Sequence, residues 1–356
     1  MKKLLSPRPF HSLRVGSKTP ITTLTPLNER QVTGARLVAF DHKEFSRRNY
    51  GRLSLGLKPS GDIHMGTVAT VLNGMLYLYD NKDATLKIDV MDLDYDTQRG
   101  NNFASFMRMP DPNGCHELMK FHTLEKLGAL VDKLSRVIGI DSRRIEIGLY
   151  SQNFACEGFS ELMMSLIRER SRARIVKRAL FDGKSKIHLM PFTPICPECG
   201  HSSSKNGRYD HKSDTLSSTC NNDECSNFEQ VFSVAVADVT SYNVHYLIDP
   251  VRDVFESPGC VRSDVHIFGG DYLITHGIKR KTKVQRSADV MTAVTNELPD
   301  FYVGPMLTLN SRKMSKSMGA EIADEHVADK VYSKLAQILR DSVEPILEVW
   351  NVIRVL

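Results

Sequence analysis

Three stretches of the sequence hold residues whose types and spacing could do chemistry. The first, "PSGDIHMG" (59–66), sets the small residues Ser60, Gly61 and Gly66 around an imidazole at His64. Apolar residues then recur at helical spacing, at Val68, Val71, Leu72, Met75, Leu76 and Tyr79, so a helix is expected to begin here. A helix start offers unpaired N–H groups and the positive end of the dipole, and small residues let a polyanion come close, which suits a phosphate. Taken alone, the stretch is equally an ordinary strand-to-helix turn.

The second stretch, "KMSKS" (313–317), places Lys313 and Lys316 beside two hydroxyls in a loop that ends at Gly319. Lysine acts as a movable point charge, so two of them on a loop can neutralise the charge developing on a departing pyrophosphate. The third is Cys196-x2-Cys199-x20-Cys220-x4-Cys225, two thiol pairs separated by a polar loop. Two such pairs complete a tetrahedral Zn2+ site, and four protein ligands leave no open position, so the metal is expected to be structural. Free thiols or two disulfides are the alternative. Cys115, Cys156 and Cys260 lack comparable spacing and are expected to be ordinary small residues.

The elements that must position these groups alternate between strands and helices. Residues 53–57 read as a short buried strand ahead of the first motif, and 84–96 as a second buried strand that ends in Asp92, Asp94 and Asp96. Strand, helix and strand in that order predict parallel pairing, with ligands beyond the strand carboxyl ends, where Asp92 and Asp94 fall unless they are turn residues. Helices are expected over 116–138, over 158–180 as one long element, over 286–298 and over about 325–352. A strand and turn are expected over 263–273, and a strand or hairpin over 300–310. The region 192–232 turns rich in Cys, Ser, Asn and Gly and reads as an inserted module. The basic runs 168–178 and 279–283 read as solvated faces or phosphate contacts.

"PSGDIHMG" together with "KMSKS" resembles the two signature motifs of class I aminoacyl-tRNA synthetases. Within them the sequence is most similar to class I lysyl-tRNA synthetase, because "PDPNGCHE" (110–117) and the four-cysteine insertion follow in the same order. The resemblance covers roughly residues 50 to 320. It implies an α/β fold: a Rossmann-type parallel-sheet catalytic domain, split into 46–100 and 234–320, with an inserted helical and zinc-binding domain over 101–233. An N-terminal extension (1–45) and a short C-terminal helical segment (321–356) complete the expected organisation.

What the resemblance implies for chemistry is ATP-dependent formation of an aminoacyl-adenylate, with Mg2+ on the phosphates and no covalent enzyme nucleophile. Pro59, Ser60, Gly61, His64, Gly66, Gly269, Gly270, Asp271, His276, Met314 and Ser315 would contact ATP, while His64, Lys313 and Lys316 stabilise the transferring phosphate and pyrophosphate. Gly56, Lys58, Asp92, Asp94 and His266 would line the amino acid. The pattern departs from the family at Lys58, whose charge would repel a lysine substrate, and at His266, Gly270 and Tyr272. The segment after "KMSKS" is too short for an anticodon-reading domain. The expectation is therefore a truncated relative that activates lysine or a different amino acid. Its acceptor would be a tRNA acceptor end, a small molecule or a carrier protein. The alternatives are a catalytically idle relative that binds RNA or a partner, and another adenylate-forming nucleotidyltransferase.

Bulk properties set limits on these readings. The chain has 356 residues, 41% hydrophobic and 25% charged, which is enough for a sizeable core. The net charge of +5 is matched by Lys2, Lys3, Arg8, Arg14 and Lys18, which all precede the first acid, Glu29. That leader is expected to be a loose basic tail, with an organelle transit peptide as the alternative. No apolar run is long enough to span a membrane, and a cytoplasmic setting is expected.

Overall fold

A computed structural model describes residues 23–24, 37–57, 63–91, 95–96, 105–106, 115–180, 192–203, 206–244, 247–255, 262–275, 281–295, 298–309, 312–313, 329–344 and 346–348. Its centre is a six-stranded sheet, parallel throughout, in the spatial order Leu37–Ala39, Asp300–Val303, Val265–Phe268, Arg52–Leu57, Thr85–Val90, Ile145–Leu149. From Arg52–Leu57 the chain builds outward to one side through 85–90 and 145–149, then returns to the other side with 265–268 and 300–303. The order reverses between Arg52–Leu57 and Val265–Phe268, and in open α/β sheets such a reversal opens a crevice at the strand carboxyl ends.

The alternation of residues within the strands divides the two faces. Leu53, Leu55, Leu86, Ile88, Val90, Val265 and Ile267 join the core shared with the helix Met65–Asp80. That helix also packs against Cys115–Ile138 and Asp329–Asp341. The second core lies on the other side and holds Phe159, Met163, Val176, Leu180, Val284, Met291, Phe268 and Phe301. Two cores on opposite faces of one parallel sheet make the three-layer arrangement expected when crossover helices cover both sides.

Several elements differ from expectation. The 158–180 helix is two helices, Glu157–Arg168 and Arg170–Leu180, because Glu169 leaves the helical region at φ −87° and ψ 103°. Tyr79, expected on the apolar face, is exposed and lies under Lys82 and Arg340 at 4.7 and 4.8 Å. The 300–310 segment forms two strands in different sheets: Asp300–Val303 joins the central sheet and Met306–Leu309 pairs with Arg312–Lys313 and Ile346–Glu348. The expected 325–352 helix accordingly ends at Asp341, and a strand follows. The central sheet also takes Leu37–Ala39 from the expected N-terminal extension and Ile145–Leu149 from the expected insertion. Thr23–Leu24, within the expected loose leader, pairs antiparallel with Ile274–Thr275. Among the described residues no helix is long and apolar enough to cross a membrane.

Candidate functional site

The strand Arg52–Leu57 runs directly toward the first motif, and the helix Met65–Asp80 starts at the crevice with His64 as its N-cap. The His64 Nδ1 accepts hydrogen bonds from the N–H groups of Gly66 at 3.0 Å and Thr67 at 3.3 Å. An imidazole nitrogen that accepts carries no proton, so the neutral ring holds its proton on Nε2. This corrects one expectation: the N–H groups of Gly66 and Thr67 are satisfied by the imidazole and are not left open for an anion. What the helix start offers instead is the dipole and the Nε2–H, which lies 3.5 Å from Thr67 Oγ1.

The neighbouring strand Val265–Phe268 ends at Gly269 and Gly270, which begin a short helical turn to Leu273. A Cβ on Gly269 would lie 3.4 Å from Thr70 Oγ1, in the first turn and a half of the His64 helix, so the two expected nucleotide segments meet in space. Gly270 packs against main chain: a Cβ there would sit 2.6 Å from Met306 Cα and 2.7 Å from Pro305 C, so no other residue fits without moving backbone. Asp271 Oδ2 accepts from Lys283 Nζ at 3.1 Å, which places the expected ribose-binding acid next to the N-terminus of the helix Lys283–Val294. The Tyr272 ring stacks on Phe268 at 4.5 Å.

The strand Arg312–Lys313 anchors the start of the second motif, with Lys313 opposite Thr308 on the strand that begins at Met306. Met306 is the residue against which Gly270 packs, so the base of that loop adjoins the Gly269–Gly270 turn. Lys58, Pro59, Ser60, Gly61, Asp92, Asp94, His276, Met314, Ser315 and Lys316 lie outside the described residues.

Below the crevice, the sheet face opposite the Met65–Asp80 helix carries a buried polar patch beside the second core. Register aligns Ser54 with both Lys87 and His266, and Gly56 with Asp89. The turn Asp249–Val254 closes over them: Arg252 Nε bonds Asp89 Oδ2, and His266 Nδ1 lies 2.5 Å from Asp253 Oδ2 and 2.9 Å from Ser54 Oγ. His266 is thus engaged within the protein, 3% exposed. Lys87 Nζ bonds Asn153 Oδ1 at 3.1 Å and pairs with Asp89 at 3.6 Å. Burial opposes the charges of Arg252 and Asp253, yet their mutual attraction prevails, raising the guanidinium pKa further and holding the Asp253 carboxyl below the usual range. Sequence reasoning missed Ser54, Lys87, Asp89, Arg252 and Asp253. The signal was present in "TLKIDV", where two charges alternate with apolar residues inside a central strand.

The cysteine module is a three-stranded antiparallel ribbon, Arg208–Asp210, Thr215–Thr219 and Val231–Ala235, with two cysteine turns at one end. The first turn closes with Gly200 N–H on Cys196 C=O at 2.8 Å, and Gly200 takes φ +70°, which glycine adopts at little cost. In the second, Asn227 N–H points at Cys225 Sγ at 3.4 Å. All four Sγ atoms lie within 4.8 Å of one another, with Cys196 to Cys225 at 4.0 Å and Cys199 to Cys220 at 3.8 Å, and none is in a disulfide. Sulfurs about 2.3 Å from one tetrahedral ion stand about 3.8 Å apart, so the residues present fit such an ion. Burial pushes the Cys220 and Cys225 thiols up; it acts on Cys199 too, but hydrogen bonds, led by that of Asn222, hold Cys199 below its ordinary value. The ribbon is tied to the helix Glu157–Arg168 by Arg168, whose Nε and Nη2 grip Asp214 at 3.1 and 2.6 Å. Arg172 pairs with Glu169 at 2.8 Å, so two cations of the first basic run are engaged in internal pairs.

No protein-family model matches the chain. Among curated proteins, the lysine–tRNA ligase of Archaeoglobus fulgidus is 25% identical over 175 aligned positions, in a match that covers 43% of this chain and 32% of that protein. The lysine–tRNA ligase of Halobacterium salinarum is 26% identical over 172 aligned positions, in a match that covers 41% of this chain and 30% of that protein. The match thus spans about a third of the length of these relatives. Among solved structures, a tyrosyl-tRNA synthetase from Archaeoglobus fulgidus complexed with L-tyrosine is similar over 76% of this chain and 60% of its own, with 16% identity and a TM-score of 0.39.

Proposed function

Because this chain is class I aminoacyl-tRNA synthetase-like, we propose that it activates an amino acid with ATP to give an aminoacyl-adenylate and pyrophosphate. The aminoacyl group would then pass to a tRNA acceptor end or to another acceptor. The single observation that carries this reading is the meeting of the His64 helix start and the Gly269–Gly270 turn at the point where strand order reverses.

In this reading ATP lies across the crevice. Gly269, held in place by the close packing of Gly270 on Met306, lets the adenosine approach main chain, and Asp271 receives the ribose hydroxyls. The Nε2–H of His64 donates to the α-phosphate as the amino acid carboxylate attacks in line, and Lys313 and Lys316 hold the departing pyrophosphate. The work is positioning and charge stabilisation, with no proton to be removed by an enzyme base. Mg2+ bound to the phosphates would neutralise charge on the leaving group. Cys196, Cys199, Cys220 and Cys225 would hold a structural Zn2+ in the inserted module, and the basic residues of Arg170–Leu180 are the proposed contact for an RNA acceptor.

Amino-acid-dependent exchange of pyrophosphate into ATP tests the reading. Exchange with one amino acid from a full panel is the expected outcome. A fully folded protein that binds ATP yet shows no exchange with any amino acid, with or without tRNA, would return the function to a non-catalytic RNA- or partner-binding role.

A further inference from the structure

The polar layer beneath the crevice contains a buried donor that the described residues leave without an acceptor. Arg252 is 2% exposed; its Nε bonds Asp89, and its Nη1 donates to the Asp249 carbonyl at 2.9 Å. Its Nη2 has no hydrogen-bond partner among the described residues, whereas Asp89 Oδ1, also without a hydrogen bond, is ion-paired with Lys87 Nζ at 3.6 Å. Buried guanidinium N–H groups without acceptors are rare because the lost hydration is not replaced, so an unmatched one beside a crevice calls for an acceptor from outside the described residues.

Two glycines flank Asp89 in register, Gly56 on one neighbouring strand and Gly148 on the other. A Cβ on Gly56 would lie 3.9 Å from Arg252 Nη2 and 3.2 Å from Met91 Sδ. A Cβ on Gly148 would lie 3.9 Å from Asp89 Oδ1. The space at Gly148 is taken by Gln152 Oε1 at 3.1 Å, but the strand is bare of side chain at Gly56, beside Arg252 Nη2, and Gly56 is exposed. Gly56 is also the penultimate residue of the strand that leads to the phosphate turn, at the reversal of strand order.

We infer that Arg252 is the specificity-determining residue of the proposed activation site, selecting an amino acid whose side chain ends in an oxygen acceptor, a carboxamide or a carboxylate. This inference rests on the activation reading above. The acids nearby do not favour a cationic side chain, because each is already matched: Asp89 by Arg252 and Lys87, Asp253 by His266 and Arg252. A lysine ammonium would enter beside two buried cations, whereas an oxygen would complete Arg252 Nη2. A site built around a polar group discriminates strongly against side chains that leave it unpaired.

The test is pyrophosphate exchange on the full chain with aspartate, asparagine, glutamate, glutamine, lysine, arginine, leucine and methionine. The expected result is an oxygen-tipped substrate favoured over lysine and leucine by about 100-fold or more in kcat/KM. Arg252→Leu should erase that preference. Since its removal breaks a buried ion pair and destabilises the fold, Gly56→Ala is the second variant: its methyl meets only the flexible Met91 side chain and Arg252. Gly56→Ala should raise the KM for the amino acid about 10-fold or more and leave that for ATP within about two-fold. Exchange with lysine, arginine or an apolar amino acid would overturn the inference and leave activation standing, as would an unchanged amino acid KM in Gly56→Ala. No exchange with any amino acid would overturn both.

Discussion

His266 and Asp253 form a buried pair, Nδ1 to Oδ2 at 2.5 Å, that joins the middle of the central sheet to the turn closing over it. Ser54 Oγ donates to the same Asp253 oxygen at 2.7 Å, so three segments converge on one carboxylate. Against the effect of burial, the charges of Arg252 and then His266 hold this carboxyl below the ordinary range. A depressed folded-state pKa contributes stability above the unfolded value, and that contribution is lost as pH falls through the carboxylate range. Asp253→Asn should therefore cost about 3 kcal/mol at pH 7, because it strands Arg252 and His266 without their anion. Urea midpoints should show the gap to wild type narrowing below about pH 4. A gap that stays constant from pH 7 to pH 3 would mean the carboxylate charge does not matter there.

The ribbon should carry about one zinc per chain, measured by elemental analysis of protein purified without added metal. Burial raises the Cys220 and Cys225 thiols, so without an ion to fix them as thiolates the two turns lose the interaction that joins them. Cys220→Ser, or a strong chelator, should remove the metal and lower the Tm. A metal-free protein with unchanged Tm would overturn the reading.

Much of this arrangement was legible in the sequence because it rests on local signals. The helix at Met65 follows from apolar periodicity, the cysteine turns from ligand spacing, and parallel pairing from the alternation of strand and helix. The polar layer was not legible, since Ser54, Asp89 and Arg252 come from distant segments and become a network only through register. The break at Glu169 was hidden for another reason: basic and apolar residues keep helical spacing across it, and the packing of Arg170–Leu180 against Lys283–Val294 sets its direction. For His64 the sequence admitted both a phosphate contact and a capping role, and that Nδ1 makes the cap depends on a rotamer that spacing does not encode.

Gly269 and Gly270 should respond differently to the same added methyl. At Gly270 the methyl meets the main chain of Pro305 and Met306, which cannot step aside, so Gly270→Ala should cost about 3 kcal/mol and displace the Met306–Leu309 strand. At Gly269 it meets Asp271 Oδ1 at 3.1 Å and Thr70 Oγ1 at 3.4 Å, both side-chain atoms, so Gly269→Ala should cost about 1 kcal/mol. Chemical denaturation of the two variants checks the order. Equal costs would mean that the 270–306 contact yields.

His64 holds two roles that substitution can separate. As N-cap it satisfies Gly66 and Thr67, and His64→Ala should lose about 1 kcal/mol of stability with that cap. His64→Ser restores a good cap, since a serine hydroxyl also accepts from N2 and N3, but its short side chain carries no donor out to a phosphate. If the imidazole stabilises the transferring phosphate, His64→Ser should fold with nearly wild-type stability and lose about 100-fold or more in amino-acid-dependent exchange, as removal of one preorganised donor does elsewhere. Activity that returns together with stability in His64→Ser would make the residue a cap alone and shift the phosphate contact to the helix dipole and the lysines of 313–317.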